Sequence, residues 1–190
     1  MLPLIDVAES QVKKELEPKY IAQYSLQKLD HVLAKHLQRS DNFSILVTGF
    51  GAIGKAVAVE GFLHSIILYH AAETNHLITV KQVYPKALIY ILDPSVDRQH
   101  EACEKGFKLW HHDLPAQPFS IVIGCSGVTS ITPADIVFLN NEAILVSMSS
   151  GTHELNIDGF LDQVSSGKLK LISELVTKST DIHNDLKFKF

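Results

Sequence analysis

The stretch that most constrains this chain is Ser44-Ile45-Leu46-Val47-Thr48-Gly49-Phe50-Gly51-Ala52-Ile53-Gly54-Lys55. It reads as a short apolar strand, a Gly-x-Gly-x-x-Gly turn and the start of a helix. A strand buried on both faces needs a near-continuous apolar run, and Ile45 to Val47 supply one. The three glycines then divide the work of a dinucleotide-binding turn. Gly49 permits the tight turn out of the strand, Gly51 lets a pyrophosphate approach bare backbone, and Gly54 lets the new helix pack closely on the strand. Unpaired N–H groups and the positive dipole end at the helix start would face the phosphates. The alternative is a glycine turn in an α/β fold that holds no ligand. The strand before and the helix after are the context that separates the two.

The rest of the chain alternates apolar strands with helical patterns, which predicts an α/β, Rossmann-type doubly wound parallel sheet with helices on both faces. Residues 1–42 read as an N-terminal helical segment. A helix opening at Glu17-Pro18 carries Ala22, Leu26, Leu29, Leu33 and Leu37 at helical spacing to about Gln38. Residues 43–160 form the dinucleotide-binding domain, and 161–190 a helix and strand extension of it. Ala87 to Leu92 is the second strand, ending at Asp93-Pro94. The ribose-binding acid of such folds usually falls about 20 residues after the glycines. Here Asp93 lies 39 positions beyond Gly54, implying an insertion around residues 73–86.

A short helix is expected over Asp97 to Lys105 with Gly106 as its stop, then a strand near Phe107 to Trp110. Phe119 to Gly124 reads as a buried strand closed by Cys125-Ser126-Gly127. Thr132-Pro133-Ala134-Asp135 has the signature of a helix start, and that helix is expected to turn at Asn140-Asn141 into a strand over Ala143 to Ser147. A last helix spans Asp158 to Val164. Lys168 to Val176 and Leu186 to Phe190 are expected as an antiparallel edge extension.

Composition narrows the function. A net charge of −4, and Arg39 and Arg98 as the sole arginines, give no footprint for nucleic acid or an anionic membrane. No apolar run approaches the ~18 residues of a membrane span, and the N-terminus lacks the basic start and apolar core of a signal peptide. Cys103 and Cys125 have neither metal-ligand spacing nor a disulfide framework, so a cytoplasmic protein with reduced thiols is expected. His111-His112-Asp113 invites a metal, but neighbours on a strand point to opposite faces, so no metal site is expected. His31 and His36, and likewise His64, His70 and His76, share no helix face and read as scattered polar positions.

Taken in order, these segments resemble the NAD-binding domain of the S-adenosylhomocysteine hydrolase (adenosylhomocysteinase) family. Gly49-Phe50-Gly51-Ala52-Ile53-Gly54-Lys55 is similar to that family's GYGDVGKG loop. Leu92-Asp93-Pro94 through Glu101 to Phe107 is similar to its EIDP strand end and AAMEGY helix. Gly124-Cys125-Ser126-Gly127 stands where the family has TTTG, and Val146 to Asp158 resembles VCNIGHFDVEID. The resemblance covers residues 40 to 160. It implies NAD lying along Gly49, Phe50, Gly51, Ala52, Ile53 and Gly54, with Asp93 and Pro94 near the adenosine ribose. Cys125, Ser126 and Gly127, with Ser149, Gly151 and Thr152, would line the crevice.

The departures carry information too. Ile91 replaces the family's ribose-binding glutamate, Ala52 replaces the loop aspartate, and Thr152 stands at the histidine of IGH, with His153 beside it. The family's substrate domain, which holds its catalytic groups, lies upstream of the cofactor domain, whereas only residues 1–43 precede the glycine strand here. The expectation is therefore a cofactor module without hydrolase activity of its own, working with a separate substrate domain, a protein partner or a second copy. Two alternatives stay open: a cofactor-free Rossmann scaffold acting in protein interaction, and a small NAD-dependent oxidoreductase using His153 or His111 as proton carrier. NAD is favoured over NADP because a carboxylate such as Asp93 would repel a 2′-phosphate and no basic cluster follows it; Arg98 is the residue opposed to that view.

Overall fold

The computed structural model describes residues 10–36, 44–60, 88–114, 118–148 and 154–167. Within these, the order is α1 (Gln11–His36), β1 (Ser44–Thr48), α2 (Ala52–Lys55) continued by a π-helical turn (Ala56–Glu60), β2 (Leu88–Leu92), α3 (Val96–Glu104), β3 (Lys108–Leu109), β4 (Phe119–Gly124), a 3₁₀ helix (Pro133–Phe138), β5 (Leu139–Ser147) and α4 (Ile157–Ser165). The strands form a five-stranded sheet in the order β3-β2-β1-β4-β5, and every pairing is parallel. The chain enters at β1, builds outward through β2 and β3, then crosses back to lay β4 on the other flank of β1. The strand order thus reverses between β1 and β4, the place where open α/β sheets bind ligands.

Apolar strands buried on both faces leave two cores. On one face Ile45, Val47, Ile91, Ile121 and Ile123 pack under Ala22, Leu26 and Leu29 of α1, Val57 and Ala58 after α2, and Ala102 of α3. On the other, Leu46, Tyr90, Val122, Trp110 and Phe119 pack under Ile131, the 3₁₀ helix and Phe160 of α4. Helices on both faces of a parallel sheet make this the Rossmann-type doubly wound fold expected from the sequence.

Three boundaries differ from expectation. Helix α1 begins at Gln11, so Pro18 sits inside it and not in its first turn. The start is set by Ser10, whose hydroxyl accepts from the Lys13 amide at 3.2 Å as an N-capping side chain does. The segment after Pro133 is a 3₁₀ helix held by a Thr132–Asp135 capping box. It passes straight into β5, so Asn140 and Asn141 extend the strand instead of turning it. The Asn140 side chain explains this: it donates to Ser120 Oγ at 2.9 Å and holds the strand start against β4. The remaining elements lie close to their expected places, with α3 ending at Gly106 in the left-handed region (φ 84°) and α4 capped by Asn156. The 73–86 insertion and the two C-terminal strands fall outside the described residues.

Candidate functional site: the crevice at the strand ends

The C-terminal ends of β1, β2 and β4 carry two loops that touch. Gly49 leaves β1 with φ 88°, a conformation that disfavours side chains. A Cβ there would also stand 2.6 Å from Ser126 Cα, so the glycine turn and the loop after β4 need a bare backbone where they meet. The Gly49 amide donates to Leu92 O at 2.7 Å, and the Cys125 amide donates to Thr48 O at 2.7 Å. The parallel ladder therefore continues one residue beyond the strands into both loops.

Gly54 answers a different need. A Cβ on it would fall 1.8 Å from the carbonyl oxygen of Gly49, so α2 can lie this close to its own turn only with glycine there. Gly51 answers neither need. Its φ of −75° suits any residue, and the nearest atom to a Cβ would be Arg98 Nη1 at 3.8 Å, an ordinary contact.

Asp93, one residue beyond β2, is the internal anchor of the glycine turn. Its side chain is wholly buried. One carboxylate oxygen accepts from the Phe50 amide at 2.6 Å, and the other from the Ser95 amide at 2.8 Å. Arg98, with a half-exposed side chain, approaches the first oxygen at 3.5 Å from the solvent side. Pro94 is exposed beside it. Ile91, which stands at the resembled family's ribose-binding acid, is fully buried in the core. Lys55 at the end of α2 pairs with Glu101 of α3 at 2.5 Å and ties the two helices together.

The loop after β4 has an acid beneath it to which sequence reasoning assigned no role. Glu154 is fully buried. It accepts from the Ser126 hydroxyl at 2.7 Å, the Gly127 amide at 2.5 Å and the Ser130 hydroxyl at 3.0 Å. Ser130 Oγ also lies 2.7 Å from Thr48 Oγ1, which carries the network to the end of β1. Three donors satisfy the charge, as burial of a carboxylate demands. The signal available in the sequence was a cluster of small hydroxyl residues facing an isolated glutamate, too common a pattern to stand out.

Cys125, the first residue past β4, has its thiol pKa pushed up, first by burial and second by the Glu154 carboxylate. Both effects disfavour a thiolate, so the geometry does not make Cys125 a nucleophile. The histidine pair is split: His112 reaches Asp135 at 3.1 Å and stacks near Trp110 and Phe138. Among the described residues no three His, Cys, Asp or Glu side chains are grouped to hold a metal ion. None of their helices is long and apolar enough to cross a membrane.

The crevice therefore brings together Gly49, Phe50, Gly51, Asp93, Cys125 and Ser126, with Arg98 and Glu154 added. Ala52 is exposed at the start of α2, Ile53 packs against the α1-side core, and Gly127 is exposed in the left-handed region (φ 76°). Ser149, Gly151, Thr152 and His153 lie outside the described residues.

No family model and no curated protein matches this chain. Solved structures do match. One component of the dipicolinate synthase of Bacillus halodurans superposes with a TM-score of 0.55 at 11% identity, over 76% of this chain and 44% of that one. L-tryptophan dehydrogenase from Nostoc punctiforme superposes with a TM-score of 0.49 at 14% identity, over 79% and 40%. The chain spans less than half the length of either protein. At this identity the likeness to the synthase component is one of fold, and it places the chain among Rossmann-type doubly wound α/β structures.

Proposed function

We propose that the chain binds a nicotinamide dinucleotide in the crevice between β1 and β4. The pyrophosphate lies along Gly49, Phe50, Gly51, Ala52, Ile53 and Gly54, and the adenosine ribose near Asp93, Pro94 and Arg98. Cys125, Ser126 and Gly127 line the crevice beyond it, and the family resemblance assigns Ser149, Gly151 and Thr152, which lie outside the described residues, to the same crevice. The observation that carries this is the difference between the glycines. Packing accounts for Gly49 and Gly54, whereas backbone angle and free space would admit a Cβ at Gly51. A ligand drawn against that backbone supplies the missing reason for glycine. In this site Asp93 orients the turn by fixing the Phe50 amide, and Glu154 fixes the facing loop. The bound dinucleotide would supply hydride transfer.

The groups that would recognise and act on a substrate belong, in this reading, to a separate domain, a partner or a second copy. The adenosylhomocysteinase-like assignment is the finer form of the proposal; its support is the ordered set of segments from Gly49 to Asp158. The test is to denature the purified chain and identify any released nucleotide by mass. A nicotinamide dinucleotide in near-stoichiometric amount is expected; protein that is empty and stays so after incubation with millimolar NAD and NADP would refute the proposal. The burial of Ile91 and the inward commitment of both Asp93 oxygens favour a second reading, a cofactor-free scaffold, which that empty result would favour further.

A further inference from the structure

We propose that Arg98 makes this crevice selective for a dinucleotide carrying a 2′-phosphate, NADP(H) over NAD(H). The inference rests on the dinucleotide reading above and concerns which member of that class is held.

A crevice selective for NAD presents a carboxylate oxygen to the ribose 2′-hydroxyl, and that oxygen must be free to accept. In the sequence Asp93 is the natural candidate, and the expected preference for NAD rested on it. The fold turns it the other way. Its side chain has no exposed surface, its oxygens accept from the Phe50 and Ser95 amides at 2.6 and 2.8 Å, and the guanidinium of Arg98 stands on its solvent side. Ile91, two positions earlier, is in the core and offers no replacement acceptor.

What the ribose end of the crevice presents instead is a cation. Arg98 rises from the first turn of α3 with its side chain 51% exposed. Its Nη1, Cζ and Nη2 lie 3.8 to 4.0 Å from the point where a Gly51 Cβ would project, directly beside the backbone a pyrophosphate would approach. The Asp93 contact, at 3.5 Å, engages one nitrogen of a fork with five N–H donors. A guanidinium set this way can bind a phosphate through two parallel hydrogen bonds while neutralising the carboxylate behind it. Apart from Asp93, which it faces at 3.5 Å, no nearby acid among the described residues is paired with it. Glu101 on the same helix is taken by Lys55, and Asp97 is exposed to solvent.

The test is calorimetric titration of the full chain with NADP+ and NAD+, for the wild type, Arg98→Ala and Arg98→Lys. Hydrogen bonds to a charged group imply that the wild type binds NADP+ roughly ten- to a hundredfold more tightly than NAD+. Arg98→Ala should bring that ratio close to one by weakening NADP+ more than NAD+. Arg98→Lys, which keeps the charge without the fork, should fall between. Wild-type affinity for NAD+ equal to or above that for NADP+ would overturn the inference and leave the dinucleotide reading intact. Equal loss of both ligands in Arg98→Ala would also overturn it, because Arg98 would then be holding the shared pyrophosphate. Binding of neither ligand by the wild type would overturn both.

Discussion

Replacing Asp93 by alanine separates a residue that holds the protein's own loop from one that merely awaits a ligand. Asp93→Ala deprives two backbone amides of their acceptor, Phe50 in the glycine turn and Ser95 at the start of α3. Phe50 is fully buried, with its ring edge-to-face on Phe107, so water cannot replace the lost oxygen without opening the turn. Ser95 is only half-buried, and its amide will regain part of its solvation. A buried donor left unsatisfied costs about 1–3 kcal/mol, so the pair amounts to about 2–5 kcal/mol with Ser95 at the low end. For a chain of this size that corresponds to roughly a 4–20 °C fall in Tm. Circular dichroism melts of ligand-free protein measure it, and amide hydrogen exchange at Phe50 locates it, since that amide should change from protected to fast. A melting temperature within a degree or two of wild type, with Phe50 still protected, would refute the argument that Asp93 is committed inward.

The remaining predictions concern neighbouring groups. Gly54→Ala should cost about 1–3 kcal/mol or more by overpacking, with or without ligand, because its Cβ would meet the Gly49 carbonyl at 1.8 Å; urea unfolding checks this. Glu154→Gln removes one acceptor from a site holding three donors and should cost about 1–3 kcal/mol, read from the same unfolding curves. In the folded protein a thiol reagent should label exposed Cys103 quickly and Cys125 only on unfolding, counted by intact mass. The Cys125 shift also sets a pH dependence. Above about pH 8.5 the unfolded thiol ionises while the folded one keeps its proton, so the native state binds more protons and stability falls as pH rises. This contribution is at most about 1.4 kcal/mol per pH unit, and it should disappear in Cys125→Ala.

Much of the fold was legible because its signals are local. Near-continuous apolar runs such as Phe119 to Gly124 mark strands buried on both faces, and Gly106 marks the end of α3 by the left-handed turn it permits. Boundaries failed where a tertiary contact outweighed local propensity: Asn140 reads as a turn residue, yet its amide finds Ser120 on the neighbouring strand. Pro18 reads as a helix start, yet Ser10 caps the helix two turns earlier. The site was legible in its glycines for the same local reason. The orientation of Asp93 was not, since whether a carboxylate faces solvent or an amide 43 residues away depends on how two loops meet. Glu154 was hidden likewise, as its donors at residues 126 to 130 come to it only once β4 and the segment after β5 are side by side.

The most direct test of the central claim is a titration of the wild type and of Gly51→Val with a nicotinamide dinucleotide, alongside their melting temperatures. A Cβ at this position has room within the protein, its nearest neighbour being the end of the flexible, half-exposed Arg98 side chain at 3.8 Å. The account predicts saturable binding by the wild type, none by the variant, and melts that agree closely without ligand. Equal binding by both proteins, or no binding by the wild type at millimolar ligand, would contradict it.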